Sequence, residues 1–162
     1  MQHEQLISLI NELKENPSEN EWIEFKHNFH SCEEIGEEIS ALSNAACIHG
    51  KSFGYLVFGI KDITHEVIGT NLKAKSHKKG NEELENWLAT RLNPRIDFSI
   101  YEFDVENDKH ISLFIIPAAQ NRPVTFLHQA YIRIGSYTRK LIDFEEKERK
   151  IWQKIHIVWK LK

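Results

Sequence analysis

The chain is poor in cysteine and has no long apolar run. Its 162 residues include only two cysteines, Cys32 and Cys47, too few for the disulfide framework of a small secreted domain. No apolar segment approaches the ~20 residues that a membrane helix needs. The N-terminal residues 1–4 lack the basic flank and apolar stretch of a signal peptide. We therefore expect a cytoplasmic protein that does not contact a membrane.

Charge is unevenly distributed along the sequence. Residues 1–40 contain ten acidic and two basic side chains, a net charge of −8. The remaining residues contain 14 acidic and 19 basic side chains, a net charge of +5. An acidic segment joined to a more basic body suits a metal site beside a phosphate-binding surface, although solvated helix faces also produce such blocks. The pI of about 6.3 argues against binding duplex DNA by charge alone.

Hydrophobic periodicity predicts one domain over residues 1–162, with an α+β fold and a mixed or antiparallel sheet flanked by helices. The predicted helices are 3–15, 33–48, 81–92 and 144–160. The predicted strands are 20–27, 53–60 and 66–68, followed by two hairpins that pair 96–100 with 111–115 and 123–127 with 130–134. The strand at 53–60 is uniformly apolar, which favours a central place in the sheet.

Three carboxylates lie beside predicted strands. Glu24 is in the first strand, Glu19 is in the turn before it, and Asp62 directly follows the apolar strand 53–60. Such oxygens can converge on one hard divalent cation that activates water at a phosphodiester. Lys26 shares a strand face with Glu24 and can reach the same phosphate. From chemistry alone, an exposed strand face and an ordinary turn aspartate are the plainer explanation of these residues.

Two other metal or nucleotide motifs are weaker. The segment Gly50-Lys51-Ser52 resembles the end of a P-loop, but residue 45 is alanine and the segment runs from helix to strand, so ATP binding there is rejected. A zinc site could use histidines and cysteines near the first strand and second helix, but their spacing matches no standard finger. Those residues are His27, His30, Cys32, Cys47 and His49.

Basic and aromatic residues form two groups that suit nucleic acid. The segment 71–80, here called the lysine segment, carries Lys73, Lys75, Lys78 and Lys79. The second hairpin and the residues after it carry Tyr131, Arg133 and Arg139. Arginine and hydroxyl donors fit phosphate oxygens, and aromatic faces can stack on unpaired bases. A cross-strand tyrosine–arginine pair without a ligand is the plainer alternative.

Four sequence blocks in order resemble the Schlafen-type AlbA-like domain, a nucleic-acid-binding family. The match runs from about Glu19 to Glu148 and leaves 149–162 as a C-terminal helix. Its blocks are Glu19–Lys26, Ile39–Asn44, Gly54–Asp62 continuing to Gly69, and Pro123-Val124 with Tyr131–Ser136. The segment from Asn44 to Phe53 departs from the short Gly-Gly turn of many relatives.

This resemblance implies a fold and an activity. In nuclease members an acidic trio cleaves structured RNA such as tRNA, and it falls here on Glu19, Glu24 and Asp62. These residues would hold Mg²⁺ or Mn²⁺, and Lys26 would neutralise phosphate charge. The resulting hypothesis is an RNA-binding, metal-dependent endoribonuclease. The alternatives are a non-catalytic nucleic-acid-binding or regulatory module of a transcription or defence protein, and a structural dimerisation domain.

A homodimer is also expected. The double-lobed relatives form a clamp, so one lobe would need a second copy of itself. The final helix carries Trp152, Ile155, Val158 and Trp159, more apolar surface than one packing side needs.

Overall fold

The computed structural model of the protein describes residues 1–17, 20–29 and 31–161, and the side chains of residues up to 153. These residues form four α-helices: α1 (His3–Lys14), α2 (Cys32–Ile48), α3 (Leu84–Ala89) and α4 (Glu145–Leu161). Two single 3₁₀ turns occur at Glu106–Asp108 and Leu141–Asp143. Within the part of the chain that the structure describes, no helix is both long and apolar enough to cross a membrane.

Within the described part of the chain, ten strands form two larger sheets and one short ribbon. The first four are β1 (Ile23–Lys26), β2 (Phe53–Phe58), β3 (Lys78–Lys79) and β4 (Glu82–Glu83). The next three are β5 (Leu92–Asn93), β6 (Ser99–Val105) and β7 (Lys109–Pro117). The last three are β8 (Thr125–Phe126), β9 (Gln129–Ile134) and β10 (Tyr137–Lys140).

The first sheet has the strand order β1-β2-β7-β6. β1 and β2 are parallel, with Glu24 opposite Leu56 and Lys26 opposite Phe58. Such a pair needs a crossover connection, and α2 supplies it. β2 and β7 are antiparallel, as are β6 and β7. The apolar strand β2 therefore occupies an interior position in a mixed sheet, as its sequence predicts.

The second sheet has the order β10-β9-β8-β5, and β3 pairs with β4 in a separate two-stranded ribbon. α2 packs against β2 on one side and β9 on the other, which explains why most of its residues are buried. Gly36 allows close packing here, because a Cβ at this position would clash with the ring of Phe126. On the opposite face of the first sheet, Leu6, Ile10 and Leu13 of α1 form a second core.

The α+β prediction is confirmed, and the main local differences have physical causes. The segment 66–68 contributes only an isolated bridge between Val67 and Ile60, so the predicted third strand is wrong. The predicted helix 81–92 is shorter because residues at each end pair in β4 and β5. The sequence does not predict β10, since its residues Tyr-Thr-Arg-Lys lack an apolar alternation.

Candidate functional site

Strand alternation directs two neighbouring residues of β1 to opposite sides of the first sheet. Phe25 belongs to the core that α1 covers. Glu24 faces the α2 side, where it lies against Arg133 of β9. Lys26 follows two residues later on the same face and pairs with Glu34 of α2, with 2.7 Å between Nζ and Oε1. Glu24 and Lys26 therefore lie on the same face of β1, as the sequence predicts, and this face forms one side of the candidate site.

Arg133 joins the two sheets through carboxylates. Its side chain is only 2% exposed, and its Nη1 contacts Glu24 and lies 3.1 Å from Oε2 of Glu38. The hydroxyl of Thr138 on β10 donates to the other oxygen of Glu38. Two carboxylates therefore face one guanidinium inside the protein. Removing any one charged member would leave a buried charge without full compensation.

The environment of Glu24 favours its protonated form. The pKa of Glu24 is raised to about 7, because burial and the nearby charge of Glu38 together outweigh the opposing effects of Arg133 and Lys26. A carboxyl group with such a pKa can gain or lose a proton at neutral pH, which is a property of general acids and bases. Buried structural ion pairs also perturb pKa values, so this feature fits both roles.

The first two turns of α2 present an acidic face formed by Glu33, Glu34, Glu37 and Glu38. Ser31 begins the helix by accepting a hydrogen bond from the backbone of Glu34 at 3.1 Å. Glu33 pairs with Lys79 of β3 at 3.1 Å. Burial raises the pKa of Glu37, and the neighbouring carboxylates Glu38, Glu34 and Glu33 raise it further. The acidic face therefore contacts basic residues from β1, β3 and β9.

Lys26 remains a cation within these surroundings. Burial alone would lower its pKa, but its hydrogen bond to Glu34 and the charges of Glu38 and Glu24 outweigh that effect and raise the pKa. Its ammonium is therefore available as a positive charge at neutral pH. It is also held by Glu34, so a phosphate would have to compete with that carboxylate.

Asp62 lies in the exposed turn after β2, where its Oδ1 accepts a hydrogen bond from the backbone of Ile63 at 2.9 Å. The same turn contacts the α1 side of the sheet. Nδ1 of His65 lies 2.7 Å from the carbonyl oxygen of Lys14, and its ring packs on Phe25. Glu19 is outside the described residues. The convergence of the acidic trio stays a prediction.

The donor chemistry of the trio fits a hard cation, because carboxylate oxygens are the ligands that Mg²⁺ and Mn²⁺ prefer. Among the residues that the structure describes, however, no three histidine, cysteine or acidic side chains are grouped so that they could hold a metal. This statement covers His27, Cys32, Cys47 and His49 of the zinc alternative, whereas His30 lies outside the described residues. Both cysteine side chains are buried.

The basic residues predicted to bind nucleic acid fall into two classes. Lys73, Lys75 and Lys78 are exposed and form no ion pair with any described residue. Lys79 instead pairs with Glu33, and its ammonium lies 5.9 Å from the centre of the Trp87 ring. The lysine segment therefore offers three uncompensated cations beside one that is already engaged.

The predicted nucleic-acid-binding residues of the second hairpin and of β10 also differ in their exposure to solvent. Arg139 is exposed, and its guanidinium lies 4.9 Å over the ring of Tyr137. Tyr131 is half-buried, and the hydroxyl of Ser40 accepts a hydrogen bond from its backbone at 3.0 Å. Arg133 is enclosed by carboxylates, so it does not present its guanidinium to solvent in this arrangement. A direct phosphate contact by Arg133 stays a prediction.

Sequence reasoning missed Glu38, which completes the buried network. A signal was present, because Glu38 lies three residues after Ile35 and four before Leu42, on the apolar stripe of α2. A carboxylate at such a position must find a buried partner. The identity of that partner, Arg133, has no local signal, since the contact joins distant parts of the chain.

Comparisons with known proteins agree with this architecture. The Schlafen, AlbA_2 family profile matches residues 19–142. The crystal structure of the DIP2311 protein from Corynebacterium diphtheriae superposes with a TM-score of 0.51 and 19% sequence identity. The superposition covers 91% of this chain but 29% of that protein, and it supports the fold alone. A search of curated proteins gave no match.

The family profile covers more than half of the chain. It includes β1, which carries Glu24, β2, which precedes Asp62, and β9, which carries Arg133. This match suggests a role connected with nucleic acid, and its extent shows the family. The chain therefore belongs to the Schlafen AlbA_2 family.

Proposed function

We propose that this domain binds structured RNA through its phosphate backbone. The exposed cations Lys73, Lys75 and Lys78 of the lysine segment and Arg139 of β10 supply the contacts. Phosphate neutralisation by such side chains releases counterions from the nucleic acid and drives association. The family membership supports a nucleic-acid ligand, while the choice of RNA and of these contact residues belongs to the proposal.

The observation that carries the proposal is the contrast between paired and unpaired cations. Lys26, Lys79 and Arg133 each contact a glutamate. The exposed cations Lys73 and Lys75 have no such partner among the described residues. They can contact phosphate without first giving up an internal ion pair. Surface lysines without a partner are common, so the grouping of Lys73, Lys75 and Lys78 within one short segment is what makes them candidates.

RNA is favoured over duplex DNA for two reasons. The whole chain has a net charge of −3, which is unfavourable for binding a uniform duplex by charge alone. Tyr137 is 63% exposed and lies under the guanidinium of Arg139. An exposed aromatic ring beside an arginine suits an unpaired base next to its phosphate, as found in RNA loops and ends.

The direct test is equilibrium binding of fluorescent tRNA to the purified protein at low salt. The double variant Lys73→Ala/Lys75→Ala should bind more weakly than the wild type. The matched control Lys61→Ala/Lys150→Ala removes two exposed lysines elsewhere and should bind normally. If both double variants lost the same affinity, binding would depend on net charge and not on the position of the lysines. That result would reject the lysine segment as the binding surface.

Metal-dependent endoribonuclease activity is a second candidate. It is supported by Glu24, whose pKa is raised to about 7 by burial, because a group with this pKa can exchange a proton at neutral pH. Glu19, Glu24 and Asp62 would hold Mg²⁺ or Mn²⁺, and a bound ion of this kind activates water toward a phosphodiester. Lys26 would place its charge near the phosphate after leaving Glu34.

The contact between Glu24 and Arg133 supports the competing alternative, a binding or regulatory module without catalysis. A carboxylate that is engaged by a guanidinium is a poorer metal ligand until that contact opens. The two alternatives differ in cleavage and not in binding. Incubation of total tRNA with the protein, in Mn²⁺ and in EDTA, separates them.

We also propose a homodimer that uses α4. Trp152 is 49% exposed, and tryptophans are favoured anchors at protein interfaces. The side chains of Ile155, Val158 and Trp159, which belong to the same prediction, lie outside the described residues. Two copies would place two RNA-binding surfaces in one particle.

A further inference from the structure

An aromatic hollow lies between the end of α1 and the start of β2, away from the acidic face. Its volume is about 250 Å³. Three aromatic side chains contribute to its wall, Trp22 before β1 and Phe53 and Tyr55 of β2. Phe53 and Tyr55 are two residues apart in one strand and so share a face. The Trp22 carbonyl accepts a hydrogen bond from the Tyr55 backbone at 2.8 Å, which fixes the strands that carry the rings.

The hollow exposes aromatic surface that the core does not use. Phe53 is 42% exposed although it is the first residue of a strand that is otherwise largely buried. Trp22 is oriented by the ring of His49, whose centre lies 5.1 Å away. His49 is itself held by Glu21 at 2.7 Å. The aromatic wall is therefore organised before any ligand arrives.

Polar groups border the same hollow. The ammonium of Lys51 lies 4.8 Å from the centre of the Trp22 ring and forms no ion pair with a described residue. The hydroxyl groups of Ser52 and Tyr55 make no hydrogen bond within the described part of the chain. Glu12 is the one carboxylate among the described lining residues, and it repels an anion. A phosphate would therefore lie toward Lys51.

We infer that this aromatic hollow binds one unpaired nucleobase together with its adjoining phosphate. Aromatic faces stack on bases whatever their sequence, and a lysine at the rim complements the phosphate. The volume is below the ~300 Å³ at which pockets for drug-sized molecules begin, which suits a single base. A base inside a duplex has no free face to offer, so the ligand is a single-stranded segment or a free nucleotide.

The inference rests on the proposed RNA binding, and its test separates the two. Fluorescent oligoadenylate, a blunt RNA duplex and free AMP are titrated against the wild type and Phe53 variants. Phe53→Leu keeps an apolar side chain but removes the aromatic face, and should weaken oligoadenylate binding about tenfold, with duplex binding unchanged. Phe53→Tyr keeps the face and should bind like the wild type. Ile142→Ala removes an apolar side chain that is 68% exposed elsewhere and should have no effect.

Each outcome has a distinct meaning. Wild-type binding of oligoadenylate with equal affinity in Phe53→Leu rejects the hollow and leaves the proposed RNA binding intact. Failure of the wild type to bind either RNA rejects the proposed function. In that case, AMP binding that is lost in Phe53→Leu and kept in Phe53→Tyr supports the hollow with a free nucleotide as its ligand. Absence of AMP binding as well rejects both proposals. Unchanged thermal unfolding of Phe53→Leu, a half-exposed site, ensures that lost binding is not lost folding.

Discussion

The guanidinium of Arg133 contacts the carboxylate of Glu24 and thereby joins β9 of the second sheet to β1 of the first. Glu38 on α2 faces the same guanidinium at 3.1 Å. The helix between the sheets and the two sheets themselves thus meet at one buried cation. A residue predicted to take part in catalysis is in this way also part of the interior structure, and substitutions at Glu24 will act on both.

The pKa of Glu24 predicts a pH-dependent stability. Because the folded-state pKa of about 7 exceeds the ordinary value of 4.5, the folded protein holds this proton more tightly than the unfolded chain. The contribution of Glu24 is present below about pH 4.5 and is lost as the pH rises through about 7. Across that window it amounts to at most about 3 kcal/mol.

Glu24→Gln tests this assignment because it cannot titrate. Urea unfolding measures the free energy of unfolding of both proteins at about pH 5 and about pH 8. Between these two pH values, the free energy of unfolding should fall more in the wild type than in Glu24→Gln. The comparison between the two proteins removes the contributions of other groups. Parallel pH profiles would show that the proton on Glu24 has no differential effect on folding.

Asn44 provides a stability prediction for the contact between α2 and the second sheet. Its side-chain amide donates to the carbonyl oxygens of Val124 at 3.0 Å and Tyr131 at 2.8 Å, and its oxygen accepts from the Val124 backbone at 2.8 Å. Asn44→Ala removes all three hydrogen bonds, although the hydroxyl of Ser40 still donates to the Val124 carbonyl oxygen at 2.7 Å, and it should destabilise the protein by about 2–4 kcal/mol. Chemical denaturation measures the change. Asn81→Ala, at an exposed position, should change stability little, and an equally small effect at Asn44 would contradict the role given to its hydrogen bonds.

The fold follows from the sequence where signals are local. The apolar segment 53–60 predicts a central strand, and the apolar stripe of 33–48 predicts the helix that covers it. The two hairpins are signalled by alternation and short turns. The short strands β3, β4 and β10 carry mostly charged and polar residues and are stabilised by pairing partners rather than by a buried face, so no local pattern reveals them.

The candidate site is less predictable than the fold. The sequence singles out Glu24 as an unusual carboxylate, but its contact with Arg133 depends on how two sheets pack on α2. Sequence alternation leaves Arg133 as a candidate surface residue, because alternation alone cannot say which face of β9 meets the helix. Long-range packing, and not residue type, determines that Arg133 is enclosed while Arg139 is exposed.

The acidic trio leads to a prediction about cleavage. If Glu19, Glu24 and Asp62 share one metal, their carboxyl groups should lie within about 8 Å of one another. This span follows from metal–oxygen coordination distances, with an allowance for relaxation of the metal-free site. Asp62→Asn and Glu19→Gln should then abolish Mn²⁺-dependent cleavage of tRNA and leave tRNA binding unchanged. The control Asp97→Asn changes an exposed carboxylate elsewhere. Cleavage that persists in EDTA, or in Asp62→Asn, would contradict the metal site.

The homodimer is tested by light scattering at micromolar concentration. The chain mass is 19.1 kDa, and the dimer should have twice that mass. Trp152→Ala should favour the monomer, because it removes an aromatic anchor at the proposed interface. Ile63→Ala, at a side chain that is 76% exposed, should leave the dimer intact. A wild-type mass equal to that of one chain would reject the dimer.

Salt dependence of tRNA binding tests the central claim most directly. The logarithm of the wild-type association constant should fall linearly with the logarithm of salt concentration. In Lys73→Ala/Lys75→Ala the slope should be smaller by about 1.5, because two phosphate contacts are lost at about 0.7–0.9 each. The Lys61→Ala/Lys150→Ala slope should equal that of the wild type. Binding that is insensitive to salt, or equal slopes in all three proteins, would contradict RNA recognition through the lysine segment.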